Sequence, residues 1–218
     1  MRRKEIKFQV PPTDLAAAEH AVRRAFSARA TYPKRLVSSL YFDTPELRSF
    51  TESEEGVVPR EKIRLRWYGK AIPSASHPVS LEIKQSKAYY REKYTVMKGS
   101  YESFRQFRRG SLLAGLQETA VTRYLRKYFE GSGIRITVDY HIRGEGLGLL
   151  GRGVVELDYC VIEIKGPPEI LEGDLERLTK LRASRSSKYC DVVNRFKNHP
   201  APLLLAPPFG QDLNARNC

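Results

Sequence analysis

Basic side chains in this chain fall at alternate positions, often with a carboxylate two residues away. The pattern holds for Glu5 and Lys7, Arg64 and Arg66, Glu82 and Lys84, Arg91 and Lys93, and Glu163 and Lys165. In an extended strand, residues two apart share a face, so each pair would project together while the residue between turns the other way. A face of guanidinium and ammonium groups suits a polyanion. The interleaved Glu and Asp could hold Mg2+ or Mn2+ against phosphate oxygens. Cations of both kinds suit phosphoryl transfer, where catalysis is mostly positioning and neutralisation of charge on the moving group.

Positioning such a face requires strands. Period-two patterning predicts them at 5–10, 38–43, 62–68, 79–85, 91–97, 122–129, 134–142, 154–159 and 160–165. Sorting by parity puts Ile6, Phe8, Leu40, Phe42, Ile63, Leu65, Trp67, Leu81, Ile83, Tyr94, Val96, Leu125, Ile134, Ile136, Val138, Leu157, Ile162 and Ile164 on an apolar side. The opposite side carries Lys7, Arg64, Arg66, Lys84, Arg91, Lys93, Arg126, Arg135 and Lys165, with Glu5, Glu82, Asp139, Glu156, Asp158 and Glu163 among them. Two arrangements fit this sorting. An ordinary antiparallel sheet could have one face on the core and one in water, its charges paired across strands. A closed barrel could instead turn the charges inward around a polyanion, which better suits Arg and Lys at the strand centres.

Pro12 opens a predicted helix in which Leu15, Ala18, Val22 and Phe26 keep helical spacing. Further helices are expected at 100–108, over a turn or two at 111–118, through Leu175, Leu178 and Leu181, and at 188–197 after a break at 184–187. The glycine-rich run 144–153 lacks a following Gly-Lys-Ser/Thr and reads as a flexible connection rather than a phosphate loop. The length of 218 residues suits one domain over 1–199, followed by a proline-rich tail over 200–218. A net charge of +13 and a pI near 9.7 point to an anionic partner. Charges at Glu5 and Lys7 interrupt any apolar export signal, and no apolar run reaches the roughly 20 residues of a membrane span. The three cysteines, Cys160, Cys190 and Cys218, fit neither a disulfide framework nor a zinc knuckle, so reduced thiols in a cytoplasmic protein are expected.

Several stretches together resemble the VTC (vacuolar transporter chaperone) type polyphosphate polymerase domain of the triphosphate tunnel metalloenzyme superfamily. They are Glu5-Ile-Lys-Phe8, Leu40-Tyr-Phe-Asp-Thr-Pro45, Arg60-Glu-Lys-Ile-Arg-Leu-Arg-Trp-Tyr-Gly69, Leu81-Glu-Ile-Lys84, Tyr124-Leu-Arg126, Arg135-Ile-Thr-Val-Asp139, Ile162-Glu-Ile-Lys165 and Ser187-Lys-Tyr189. The resemblance runs from Glu5 to about Phe196 and rests on the order of the motifs. It implies an α+β fold, an antiparallel eight-stranded β-barrel with a charged lumen and helices packed outside.

The resemblance also implies roles. Lys7, Arg64, Arg66, Lys84, Lys93, Arg126, Lys165, Ser187 and Lys188 would bind phosphate, with Arg64, Arg66, Lys84, Arg126 and Glu163 catalytic and Glu163 the ligand of Mn2+ or Mg2+. By spacing alone, Ser187 would be a helix cap and Lys188 a solvated lysine. Asp139 and Glu156 could add metal contacts or pair with neighbouring arginines. Arg3 stands where the cyclase and thiamine-triphosphatase branch has a first Glu, and Ser86 stands where the eukaryotic polymerase has His. The activity implied is transfer of the γ-phosphate of ATP to a growing polyphosphate chain, with any membrane association supplied by a separate protein. The alternatives are a tripolyphosphatase or nucleoside triphosphatase of the same fold, and a non-catalytic polyanion-binding module. Basic segments at 105–109, 123–127 and 182–188 would favour nucleic acid, which the lack of aromatic stacking platforms disfavours.

Overall fold

The computed structural model describes residues 4–69, 72–87, 91–108 and 113–198. Arg3, Arg109 and the 200–218 tail, with Cys218, lie outside them. All nine alternating stretches form strands: β1 (Lys4–Val10), β2 (Arg29–Asp43), β3 (Arg60–Tyr68), β4 (Pro78–Ser86), β5 (Arg91–Ser100), β6 (Gln117–Gly131), β7 (Ile134–Gly146), β8 (Gly153–Leu157) and β9 (Cys160–Gly166). Among the described residues five α-helices accompany them: α1 (Leu15–Ala25), α2 (Arg48–Glu54), α3 (Tyr101–Arg108), α4 (Glu172–Thr179) and α5 (Lys188–Asn198). The fold is α+β, and its strands form one sheet. Eight of them follow the path β1-β9-β7-β6-β2-β3-β4-β5, with β8 paired to β7 beside it. Among the described residues, backbone hydrogen bonds do not close this path into a ring.

By contacts the chain divides into two compact units, each assembled from separated segments. The first comprises Met1–Arg35, Tyr124–Ile142 and Glu156–Ser187. Its core joins Ile6, Phe8 and Val10 of β1, Ile136 and Val138 of β7, and Ile162 and Ile164 of β9 to Ala18 and Val22 of α1 and Leu175 of α4. Each valine, leucine, isoleucine or phenylalanine among these contributes about 1.5–3 kcal/mol when fully buried. The second unit comprises Leu36–Arg123, Arg143–Val155 and Lys188–Cys218. Leu40, Phe42, Leu65, Trp67, Val79 and Leu81 pack there with Phe104 of α3. In both units the helices cover the apolar strand face, which leaves the charged parity to the other side.

Four local expectations change. Gln117 and Glu118 begin β6 rather than ending a helix, and Gly115 turns the chain just before them at φ +81°. The seven residues of α2 have only Phe50 buried, too short an apolar signal to stand out. Tyr94 and Val96 were sorted to the core but are 46% and 40% exposed. A register shift between Leu81 and Glu82 sets Met97 opposite Leu81, so Met97 rather than Val96 packs on this core.

The glycine-rich run is the fourth. Gly144 and Gly146 lie inside β7 because α5 packs on their backbone. A Cβ at Gly144 would lie 2.2 Å from Val192 Cγ2, and one at Gly146 would lie 2.9 Å from the Phe196 ring. Gly144→Ala should therefore destabilise the protein by about 1–3 kcal/mol through overpacking. In urea denaturation, Gly144→Ala combined with Val192→Ala should be more stable than the sum of the two single losses implies.

Candidate anion-binding site

In the first unit, β1 and β9 pair antiparallel so that Glu5 faces Lys165, Ile6 faces Ile164 and Lys7 faces Glu163. On the far side of β9, Arg135 and Thr137 of β7 face Lys165 and Glu163. Two rows therefore cross three strands on one face, Glu5–Lys165–Arg135 and Lys7–Glu163–Thr137. Lys165 Nζ lies 2.8 Å from Glu163 Oε1 and 3.2 Å from Glu5 Oε2. Lys7 Nζ donates to the Ser186 carbonyl at 2.9 Å and lies 3.6 Å from Glu5 Oε1. Burial alone would raise the Glu163 carboxyl, but Lys165, Arg126 and Lys7 hold it well below the usual carboxylate range. Arg126 of β6 reaches buried Asp139 of β7 through two bonds, Nε to Oδ1 at 2.5 Å and Nη2 to Oδ2 at 2.7 Å. Asp139 is thus an arginine partner. Glu156 is exposed on β8, and Arg135 is likewise exposed.

The second unit gathers the rest. On its charged face β3 carries Arg60, Lys62, Arg64 and Arg66. Arg64 Nε and Nη2 donate to Glu82 Oε2 at 2.9 and 2.7 Å, and Lys93 Nζ donates to Glu82 Oε1 at 2.9 Å. Burial would raise the Glu82 carboxyl, yet Arg64, Arg66 and Lys93 bring it to about 2. Glu82 therefore serves to hold two cations. Arg66, 8% exposed, donates to Ser39 Oγ at 3.2 Å. Lys84 faces Lys62 on one side and Lys93 on the other in the ladder, and Lys62 Nζ donates to Cys190 Sγ at 3.2 Å.

Tyr41, on β2 opposite Arg64, belongs to this cluster. Its hydroxyl accepts from Arg64 Nη1 at 3.4 Å, and its ring stacks on Tyr189 of α5 with centroids 4.8 Å apart. Tyr189 in turn donates to Asp43 Oδ2 at 2.5 Å, and the Asp43 carboxylate also accepts the backbone N–H groups of Ser49 and Phe50 at the start of α2. Burial would raise the Tyr41 phenol, but Arg64, Arg66 and Lys188 bring it down to about 8. Burial and Asp43 push the Tyr189 phenol up.

Of the residues expected from the sequence, Lys7, Arg126, Glu163 and Lys165 come together in the first unit, where Ser187 ends its last segment. Arg64, Arg66, Lys84 and Lys93 come together in the second, where Lys188 acts on Tyr41. Lys62, Tyr41, Tyr189 and Thr137 were not expected. Lys62 shares the parity of Arg64 and Arg66, and the two tyrosines stand inside the quoted motifs, so the signal was present.

The VTC domain family matches residues 2–111, half of the chain, and the chain belongs to that family. No curated protein matches the sequence. The fold of this VTC domain is shared by several solved structures. A Vibrio parahaemolyticus protein provisionally described as an adenylate cyclase is 17% identical, with 88% of this chain and 97% of that one covered at a TM-score of 0.53. The Pyrococcus horikoshii protein PH1819 is 19% identical, with 88% and 99% covered at 0.52. A Hippeastrum protein, provisionally an adenylyl cyclase and described as having a dominant triphosphatase activity, is 16% identical, with 94% and 98% covered at 0.51.

Among the described residues, no three His, Cys, Asp or Glu side chains cluster to hold an ion. Glu163 is buried and ionised, so it fits a hard cation that takes one protein carboxylate and completes its shell with phosphate oxygens and water. Among the described residues no helix is long and apolar enough to cross a membrane.

Two outcomes test the charge arrangement. Asp139→Asn should cost about 3–5 kcal/mol in chemical denaturation, because it leaves buried Arg126 without its ionised partner. Absorbance at 295 nm should reveal a tyrosine ionising near pH 8 in the folded protein and missing from Tyr41→Phe. The sign follows from the lowered value: the phenolate's pairing with Arg64 and Arg66 begins to stabilise the fold above pH 8 and is complete above the unfolded value near 10.

Proposed function

We propose that this VTC domain is a metal-dependent phosphotransferase that binds ATP and polyphosphate on its cationic strand faces and transfers the γ-phosphate to a growing polyphosphate chain. The gathering of Lys62, Arg64, Arg66, Lys84 and Lys93 on adjacent strands of one face carries this reading, since a field of that sign attracts a polyanion. Arg64 and Arg66 present planar guanidinium groups suited to paired phosphate oxygens. Glu82 keeps Arg64 and Lys93 in place. Lys7, Lys165 and Arg126 would bind phosphate in the same way, and Ser187 and Lys188 stand at the start of α5 as further phosphate ligands.

Glu163 would hold Mn2+ or Mg2+, which when bound neutralises charge on the transferring group. The acceptor is the terminal phosphate of the polymer. One of its oxygens forms a bond to the γ-phosphorus while the bond from that phosphorus to the β,γ-bridging oxygen breaks and ADP leaves. A phosphate oxygen is already ionised at neutral pH, so the chain need supply no general base, and its arginines and lysines act by orienting the two phosphates and offsetting their repulsion. A membrane protein that receives the polymer would be a separate chain.

Purified protein given ATP and Mn2+ should accumulate a phosphate polymer, visible by gel staining and 31P NMR. ADP with orthophosphate alone would replace this reading by a triphosphatase, the activity stated for the Hippeastrum neighbour. Arg66→Ala should weaken tripolyphosphate binding by about 10- to 100-fold, the loss of hydrogen bonds to a charged group. A protein that binds nucleic acid with steep salt dependence and turns over no nucleotide would be a polyanion-binding module instead.

A further inference from the structure

Two buried hydroxyls in the first unit, Thr137 Oγ1 and Ser186 Oγ, have no hydrogen-bond partner among the described residues. The residues are 6% and 9% exposed. A buried hydroxyl left unpaired lowers stability, and native structures seldom keep one without a reason. Their positions offer one. Thr137 lies directly opposite Glu163, which lies directly opposite Lys7, so the hydroxyl belongs to the row that presents the Lys7 ammonium. Ser186 stands where that ammonium ends, its carbonyl accepting the Lys7 bond at 2.9 Å while its own hydroxyl stays unpaired. Glu163 gives its Oε1 to Lys165 and leaves the neighbouring Thr137 hydroxyl unused. A donor beside an acceptor it does not engage is available to a third group.

We propose that Thr137 and Ser186 are ligands of a terminal phosphate, each donating its O–H to a non-bridging oxygen of the group held by Lys7. The inference rests on the phosphate-binding reading above and narrows it. A terminal phosphate carries three non-bridging oxygens and can accept from Lys7, Thr137 and Ser186 at once, whereas a phosphate inside a chain or ring carries two. Neutral donors also add bonds without adding positive charge, so they favour the end of a chain over an equal charge spread along it. The first unit would thus recognise where a polyphosphate ends.

Calorimetric titration in a chelating buffer can decide this, with linear tripolyphosphate and cyclic trimetaphosphate as probes. Thr137→Val and Ser186→Ala should each weaken tripolyphosphate binding by about tenfold or more while leaving trimetaphosphate unchanged. Thr137→Ser, which keeps the donor, should bind as the wild type does. Each hydroxyl deletion should also raise the melting temperature of the free protein, since it removes an unpaired buried polar group, whereas loss of a structural hydroxyl would lower it. Unchanged tripolyphosphate affinity, a loss seen only when divalent metal is added, or an equal loss for trimetaphosphate would overturn the inference while leaving the functional reading standing. A Thr137→Val protein that does not fold would assign that hydroxyl a structural role and overturn its part. Wild-type protein that binds no tripolyphosphate at all would overturn the functional reading and this inference with it.

Discussion

Glu-Ile-Lys laid antiparallel against Glu-Ile-Lys is complementary to itself. In the β1–β9 ladder Glu5 meets Lys165, Lys7 meets Glu163, and the two isoleucines meet between them on the opposite face. A slip of β1 by one residue would bring Ile6 to the charged side and Glu5 and Lys7 to the core, so the register is set by charge and by burial together. The apolar face then needs cover. In each unit, helices supply it: α1 and α4 in the first, α3 in the second. The charged parity is what the covering helices leave over.

Pairing also defines where the protein departs from mere stability. Asp139 answers Arg126 and Glu82 answers both Arg64 and Lys93, so most of the cost of burying these groups is offset within the chain. The third Glu-Ile-Lys copy breaks the pattern, because Lys84 faces Lys62 and Lys93 rather than glutamates. Basic side chains are therefore concentrated on this face of the second unit. The Tyr41–Tyr189–Asp43 stack secures the same region, linking β2 to the start of α5 and of α2.

Much of this was legible before the structure. Every alternating stretch became a strand, since a period of two is imposed by the extended backbone itself. The sharing of one strand face by Arg64 and Arg66, and by Glu163 and Lys165, was legible for the same reason. Tyr41 and Tyr189 were less legible, although both sit in quoted motifs. A tyrosine on a strand or helix usually reads as packing, and only the approach of α5 to β2 shows that one ring lies among three cations. Thr137 carried no signal, since an unpaired hydroxyl is a property of its surroundings.

By itself the sequence determined the strands, their two faces, the helix over the first core and the identity of the cations, because these depend on neighbours two to four residues away. Tertiary structure decided which carboxylate holds which cation, and which does not. Glu82 and Asp139 became partners of arginine, Glu163 became the buried partner of Lys165, and Lys84 came opposite Lys62 and Lys93 in the ladder. Gly144 and Gly146 changed meaning likewise, from a connection to the surface on which α5 rests. Each of these outcomes depends on residues far apart in the chain brought within a few ångströms, and spacing along the chain does not encode that distance.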